Sequence, residues 1–285
     1  MTTDGAMLGL AASARAWAKV NLTLHVTGQR SDGYHLLDSL VVRVGVGDVL
    51  SVTPSDQLGL SVDGVFAEAA PLDGRNLVVR AARLLDDGVG RGAQIQLTKL
   101  LPAAAGIGGG SADAAATLHL LGAHWGLPVP DDVSALGADV PVCLQDHPQR
   151  MRGVGEVLLP AGPLPPCWLV LVNPNKSAAT PDVFNLLETK LNPPMPDVLP
   201  VFDNAPAFAA WLGTQRNDLE SAAMQIVPEI ADCLGAVQDA LLARMSGSGA
   251  TCFGLYESED LANRAAARIG KAQPGWWVAA GPVLS

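Results

Sequence analysis

Along residues 17–26, WAKVNLTLHV, apolar and polar positions alternate without a break. Val20, Leu22, Leu24 and Val26 fall on one face and Lys19, Asn21, Thr23 and His25 on the other, the period of a half-buried strand. TGQRSDGYH (27–35) reads as a turn around Asp32-Gly33. Further strands are predicted at 37–44, 48–54, 58–64 and 93–102, a largely antiparallel start. Residues 75–88 switch to a helical period, with Leu77, Ala81, Leu84 and Leu85 in one stripe, Asn76 placed to cap and Gly88 to stop. After Pro102 the glycines Gly106, Gly108, Gly109 and Gly110 lead into Ser111 and an alanine-rich helix reaching about His124.

The second half begins with a proline-flanked apolar strand at 164–174. Helices are predicted at 181–191, 205–212, 216–225 and 229–244, then a strand at 250–257, a helix at 258–270 and a strand at 276–283. The pattern is α+β, a layer of strands covered by helices. The break near 160–165 divides the chain into domains 1–163 and 164–285.

The chain has 285 residues and is 49% hydrophobic, enough for a large core. A net charge of −10 argues against nucleic acid or an anionic membrane as partner, so contacts to a small anion must be local. Only five lysines are present, and Lys19 and Lys99 lie beside the candidate chemistry. No apolar run reaches the length of a membrane span, and the first residues lack the pattern of a leader. The four cysteines are widely spaced, which fits free thiols in a reducing cytoplasm rather than a disulfide framework. His119 and His124 are five apart and share no helix face, and His25, His35 and His147 lack partners at metal-ligand spacing.

A strand, four glycines, a serine and a helix place several backbone N–H groups at a helix start, where an anion is favoured by unpaired donors and the helix dipole. Ser111 is positioned to cap the helix or to reach a phosphate-bound Mg²⁺. The alternative is a turn tightened for packing. Neither familiar phosphate loop fits. A Walker lysine is missing before Ser111, and the acids Asp131 and Asp132 lie in a proline-rich loop rather than at a strand end. The second glycine cluster, Gly247-Ser248-Gly249, reads by itself as a helix-to-strand turn. Asp139 in LGADVPVCL and Lys19 on the polar strand face are unremarkable alone.

Taken together, PAAAGIGGGSADAA (102–115), AKVNLTLHVTGQRSDGYH (18–35), GADVPVCL (137–144), GVGE (153–156) and SGSGATCF (246–253) resemble the small-molecule kinase superfamily of galactokinase, homoserine kinase, mevalonate kinase and phosphomevalonate kinase. Within it, the SDGYH turn resembles the branch that phosphorylates a cytidyl-diphosphate methylerythritol. Ile107 and Ala112 depart from the usual loop residues, and one hydroxyl near the phosphates is lost. The resemblance implies a ribosomal-protein-S5-like N-terminal domain, a ferredoxin-like C-terminal domain and an active site between them. It implies ATP with Mg²⁺ as the phosphoryl source. ATP would be held by Lys99 and by the run Pro102, Ala103, Ala104, Ala105, Gly106, Ile107, Gly108, Gly109, Gly110, Ser111 and Ala112. Asp139 would orient or deprotonate the accepting hydroxyl, and Lys19 would hold that aspartate ionised. Asn21, Tyr34, His35, Asp139, Thr180, Phe184, Gly247 and Ser248 would hold the substrate, with Tyr34 and Phe184 sandwiching the base and His35 reading its edge. The expected assembly is a monomer or weak homodimer. The competing readings are another kinase of the superfamily, which should not need the SDGYH turn, and a non-catalytic nucleotide-binding module, against which the intact Lys19 and Asp139 argue.

Overall fold

The computed structural model describes residues 12–285, so the expectation about a leader lies outside the described residues. The strands are β1 (Ala12–Asn21), β2 (His25–Gln29), β3 (His35–Thr53), β4 (Leu58–Asp63), β5 (Ala93–Thr98), β6 (Gln149–Gly153), β7 (Val157–Pro160), β8 (Trp168–Asn173), β9 (Leu242–Met245), β10 (Cys252–Tyr256) and β11 (Trp277–Leu284). The helices are α1 (Leu77–Asp86), α2 (Gly109–Trp125), α3 (Val140–Cys143), α4 (Thr180–Asn185), α5 (Ala205–Gly213), α6 (Glu220–Ile226), α7 (Glu229–Ala236) and α8 (Glu259–Ala272). None is long and apolar enough to cross a membrane.

The long strand β3 organises the fold. Its first part pairs with β2 and β6, its second with β1 and β5, and Arg43 and Val44 pair with the end of β11. The sheet then continues through β8 and β10 to β9, with order β4-β5-β3-β11-β8-β10-β9. The sequence pattern predicts two strands here because Gly45 and Gly47 interrupt it. In the structure these are places where Pro282 and the Ala16–Trp17 backbone pass too close for a side chain.

Three apolar clusters fill the molecule. One packs α1 and α2 on β1, β3 and β5, with Leu50, Ile95, Leu97, Leu118 and Leu121 at its centre. A second packs α6, α7 and α8 on β8 and β10. The third takes Val20, Leu22 and Leu40 from the first half and Leu169, Phe208 and Phe253 from the second. The boundary expected at 163/164 lies in the connection between β7 and β8, and the halves on either side share this third core. Helix α2 is buried on most of its circumference from Ala112 to Gly122, which explains its alanine content and lack of a polar stripe.

Several expected elements differ. The strand predicted at 17–26 breaks after Asn21, because the chain leaves β3 and joins the second half. Leu24 donates its N–H to the Arg216 carbonyl and accepts from the Asp218 N–H. Its polar face is not half-exposed: Lys19, Asn21, Thr23 and His25 are all buried. The helix expected at 229–244 ends at Ala236, and residues 242–245 form β9 against β10. The helix expected at 181–191 stops at Asn185, and β6 was not foreseen.

Candidate active site

A cavity of about 830 Å³ opens between the halves. Its wall combines the start of α2, Lys19 and Asn21 of β1, the 32–35 turn, Asp139, the start of α4, and Gly247-Ser248.

Gly108 is the N-cap of α2, in the left-handed region at φ 63°, with no side-chain cap bond. The helix therefore starts at Gly109, two residues before Ser111, and Ser111 does not cap it. The N–H groups of Gly109, Gly110 and Ser111 have no intrahelical partner, and their residues line the cavity. The first and second glycine clusters touch. A Cβ on Gly106 would collide with the backbone of Ser246 and Gly249. Ser246 Oγ donates to the Gly106 carbonyl (2.9 Å) and accepts from the Asn21 N–H (3.1 Å). The Thr251 N–H reaches the Ala105 carbonyl (3.2 Å). The second cluster thus joins two antiparallel strands, β9 and β10, rather than a helix and a strand.

Against the loop, Lys19 Nζ lies 3.1 Å from Asp139 Oδ2 and donates to Asn21 Oδ1 (2.8 Å). Asn21 Nδ2 donates to Ser39 Oγ (2.8 Å), which donates to the Thr23 carbonyl (2.5 Å). The Lys19 N–H bonds the Ile107 carbonyl (3.0 Å), tying β1 to the loop. The Lys19 side chain is only 6% exposed and that of Asp139 35%, so a fixed buried cation holds a carboxylate that faces the cavity.

At the other end Tyr34 is 65% exposed, and the His35 ring stacks on Phe184 with centroids 4.6 Å apart and planes at 21°. His35 Nε2 is buried without a partner. Burial, with the nearby Lys190 charge, lowers the His35 pKa below its ordinary value, favouring the neutral ring. Thr180 Oγ1 and Ser248 Oγ are 2.8 Å apart, which links α4 to the second glycine cluster.

Five residues expected to hold the nucleotide do not line the cavity: Lys99, Pro102, Ala103, Ile107 and Ala112. Lys99 departs most from the expectation: its ammonium is buried, bonded to Asp48 and, at 2.8 Å, to Asp113 Oδ2. Ile107 and Ala112 turn into the apolar clusters and Pro102 is buried. Sequence reasoning also missed supports. Asn217 Nδ2 donates to the carbonyls of Met245 and Gly247, each at 2.9 Å, fixing the second glycine cluster. Asn217 falls within the predicted 216–225 helix, where nothing in the pattern distinguishes it. Arg150 makes a buried two-pronged bond to Asp38 at 2.7 and 2.6 Å and caps the carbonyls of Met195, Pro196 and Asp197. The isolated spacing of Asp38 and Arg150 gives no hint of this pairing.

This arrangement can hold a polyphosphate at a helix start, with an ion-paired carboxylate beside it and a ring-lined end beyond. Two family models match: the GHMP kinases N terminal domain over residues 76–148 and the GHMP kinases C terminal domain over 203–275. The chain is 56% identical over 272 residues to a 4-diphosphocytidyl-2-C-methyl-D-erythritol kinase of Cereibacter sphaeroides, covering 93% of this chain and 97% of the relative. It is 53% identical over 281 residues to the protein of that name in Ruegeria pomeroyi, covering 96% and 100%. A crystal structure of a 4-(cytidine 5'-diphospho)-2C-methyl-D-erythritol kinase is similar with a TM-score of 0.77 at 36% identity, covering 96% of this chain and 100% of that one. A homoserine kinase from Cytophaga hutchinsonii shares the fold, with a TM-score of 0.66 at 20% identity over 99% and 97% of the chains.

Proposed function

Because this chain belongs to the GHMP kinases, and within them to the family of 4-diphosphocytidyl-2-C-methyl-D-erythritol kinases, we propose that it catalyses the phosphoryl transfer for which its relatives are named. The reaction moves the γ-phosphoryl of ATP to the 2-hydroxyl of the cytidyl-diphosphate methylerythritol, leaving ADP, in the non-mevalonate route to isoprenoid precursors. Such a transfer depends on positioning and charge neutralisation rather than covalent chemistry by the protein.

The single observation that carries the residue assignment is the pairing of Lys19 with Asp139 beside the free N–H groups of α2. The ATP phosphates bind those N–H groups. Asp139 accepts a hydrogen bond from the 2-hydroxyl and orients it for in-line attack, and Lys19 keeps the carboxylate in place while its charge offsets the charge developing between donor and acceptor. Asn21 holds the Lys19 ammonium from the other side. Tyr34 and the face of Phe184 that His35 leaves free stack on the cytosine, and the unpartnered Nε2 of His35, buried as the ring stands on Phe184, would have to turn outward to meet its polar edge. Thr180 and Ser248, bonded to each other, line the path of the substrate diphosphate with Gly247.

Mg²⁺ fits the site as a companion of the nucleotide rather than as a resident ion. Among the described residues no group of three or more metal-ligating side chains occurs, and Mg²⁺ commonly rests on substrate phosphates and waters with few protein ligands. Ser111, beside the loop N–H groups, is the hydroxyl to complete that shell, and the metal would supply charge neutralisation on the transferred group.

The test is a coupled ADP-release assay with the cytidyl-diphosphate substrate, homoserine and mevalonate offered separately. Turnover with the first alone is expected. Turnover with homoserine or mevalonate, and none with the cytidyl substrate, would overturn the reading.

A further inference from the structure

Behind the second glycine cluster lies a buried amide that the transfer described above does not use. Asn217 is 8% exposed and does not line the cavity. Its Nδ2 donates to the carbonyls of Met245 and Gly247, each at 2.9 Å, and its Oδ1 accepts the Leu219 N–H (3.0 Å). Among the described residues no other donor reaches the Gly247 carbonyl. The neighbours of Asn217 are fixed from the other side. Leu24 bonds the Arg216 carbonyl and the Asp218 N–H, and Asp218 Oδ2 accepts the Val26 N–H (2.7 Å). Val26 belongs to β2, which leads into the 32–35 turn. One short segment thus braces both the strand that carries the base-facing turn and the loop that carries Gly247 and Ser248.

The grip on Gly247 decides what Ser248 offers. The Ser246 carbonyl accepts the Gly249 N–H (3.0 Å), which closes a tight turn with Gly247 and Ser248 at its centre. Gly247 stands at φ 57°, in the left-handed region. The peptide between the two central residues is trans, so its C=O and N–H point in opposite directions. With the carbonyl drawn to Asn217, the Ser248 N–H points away from Asn217, and Ser248 lines the cavity. Neither this N–H nor that of Gly247 has a hydrogen-bond partner among the described residues. The Ser248 hydroxyl is engaged with Thr180 (2.8 Å), which leaves the N–H as this residue's free donor. A central turn peptide can flip, most easily beside glycine, and a flipped peptide would turn its carbonyl toward the cavity, where an anion is repelled.

We propose that Asn217 is a positioning residue for the substrate diphosphate: by holding the Gly247 carbonyl it aims the Ser248 N–H at a phosphate oxygen. This rests on the cytidyl-diphosphate reading of the cavity. Asn217 itself touches no substrate, and its neutral amide fixes the loop without adding charge beside the phosphates. A backbone N–H on a phosphate oxygen is a charge-assisted hydrogen bond, and its loss weakens binding by about 10- to 100-fold. Because the same segment is bonded to β2, the contacts for the base and for the diphosphate stand at a set distance. The site therefore favours a ligand that carries both over the base with its sugar alone.

The experiment is calorimetry with wild type and Asn217→Leu, a change of similar size that removes the donor and adds no charge. Cytidine and CDP are titrated into protein saturated with a non-hydrolysable ATP analogue, and the analogue is titrated separately. The variant is expected to lose about 10- to 100-fold in affinity for CDP, while cytidine and the analogue change by less than about threefold. A general loosening would weaken every ligand alike, and that result overturns the proposal. Weakening of the analogue alone would assign Ser248 to the nucleotide and overturn it too. A wild-type preference for CDP over cytidine that persists in the variant removes this inference and leaves the cytidyl-diphosphate reading standing. Wild type that binds CDP no better than cytidine removes that reading and this inference with it. Should Asn217→Leu not fold, wild type decides by amide NMR: the Ser248 N–H resonance must move downfield with CDP and not with cytidine, and an equal response to both refutes the proposal.

Discussion

Gly108→Ala adds one methyl group to a residue with no chemistry of its own, and it should disable the enzyme through Lys19. The new Cβ would lie 2.6 Å from Lys19 Cγ, 3.1 Å from Cε and 3.4 Å from Cδ. Carbon pairs rest at about 3.5–4.0 Å, so roughly 1 Å must open between loop and lysine. Lys19 cannot swing aside easily, because its ammonium is tethered to Asn21 and Asp139 and its backbone N–H to Ile107. The left-handed backbone of Gly108, at φ 63°, adds strain of about 1–2 kcal/mol with any side chain. A displacement of about 1 Å at a reacting constellation lowers the rate roughly 100-fold, or about 2.7 kcal/mol of barrier. The assay is steady-state ADP release at saturating substrates, with urea unfolding to separate the modest loss of stability from the loss of rate. A folded variant whose kcat stays within about threefold of wild type, under 1 kcal/mol of barrier, would refute the coupling of loop and lysine.

Asp139→Asn should lower kcat by at least about 100-fold while calorimetry still finds both substrates bound; an unchanged kcat would end its catalytic role. Tyr34→Ala removes one face of the base stack and should raise KM for the cytidyl substrate by about 5- to 100-fold. A change confined to the KM for ATP would show that Tyr34 faces the wrong substrate. Arg150→Met strands Asp38, whose carboxyl burial alone would push up but which Arg150 and Arg152 hold below the ordinary range. It should lower unfolding free energy by about 3–5 kcal/mol in urea titrations, and Asp38→Asn in the same chain should recover part of that loss.

The pattern along 17–26 assigns Lys19 and Asn21 to one strand face correctly, because alternation reports direction. It cannot report what covers that face, and the cover comes from Ser246 and the glycine loop, which are distant in sequence. Residues 242–245 show the opposite failure. Leu, Ala, Arg and Met are good helix formers, yet pairing with β10 overrides that preference. The glycines of 106–110 announce unpaired N–H groups at a helix start, since these follow from local sequence. The surroundings of Lys99 are hidden for the reverse reason. Its strand-end position is local, but its direction is set by Asp48 and Asp113, 51 and 14 residues away.

The interlock of the two glycine clusters limits how such a chain can be recombined. Gly106 and Gly247 sit within a shared backbone contact, and the Ser246 hydroxyl bridges Asn21 and Gly106. A chimera that takes residues 1–163 from one relative and the remainder from another cuts between partners that meet without side-chain slack. Such hybrids should fail unless 246–251 travels with 104–108, so the segments that must be inherited together are neighbours in space and not the two halves of the sequence.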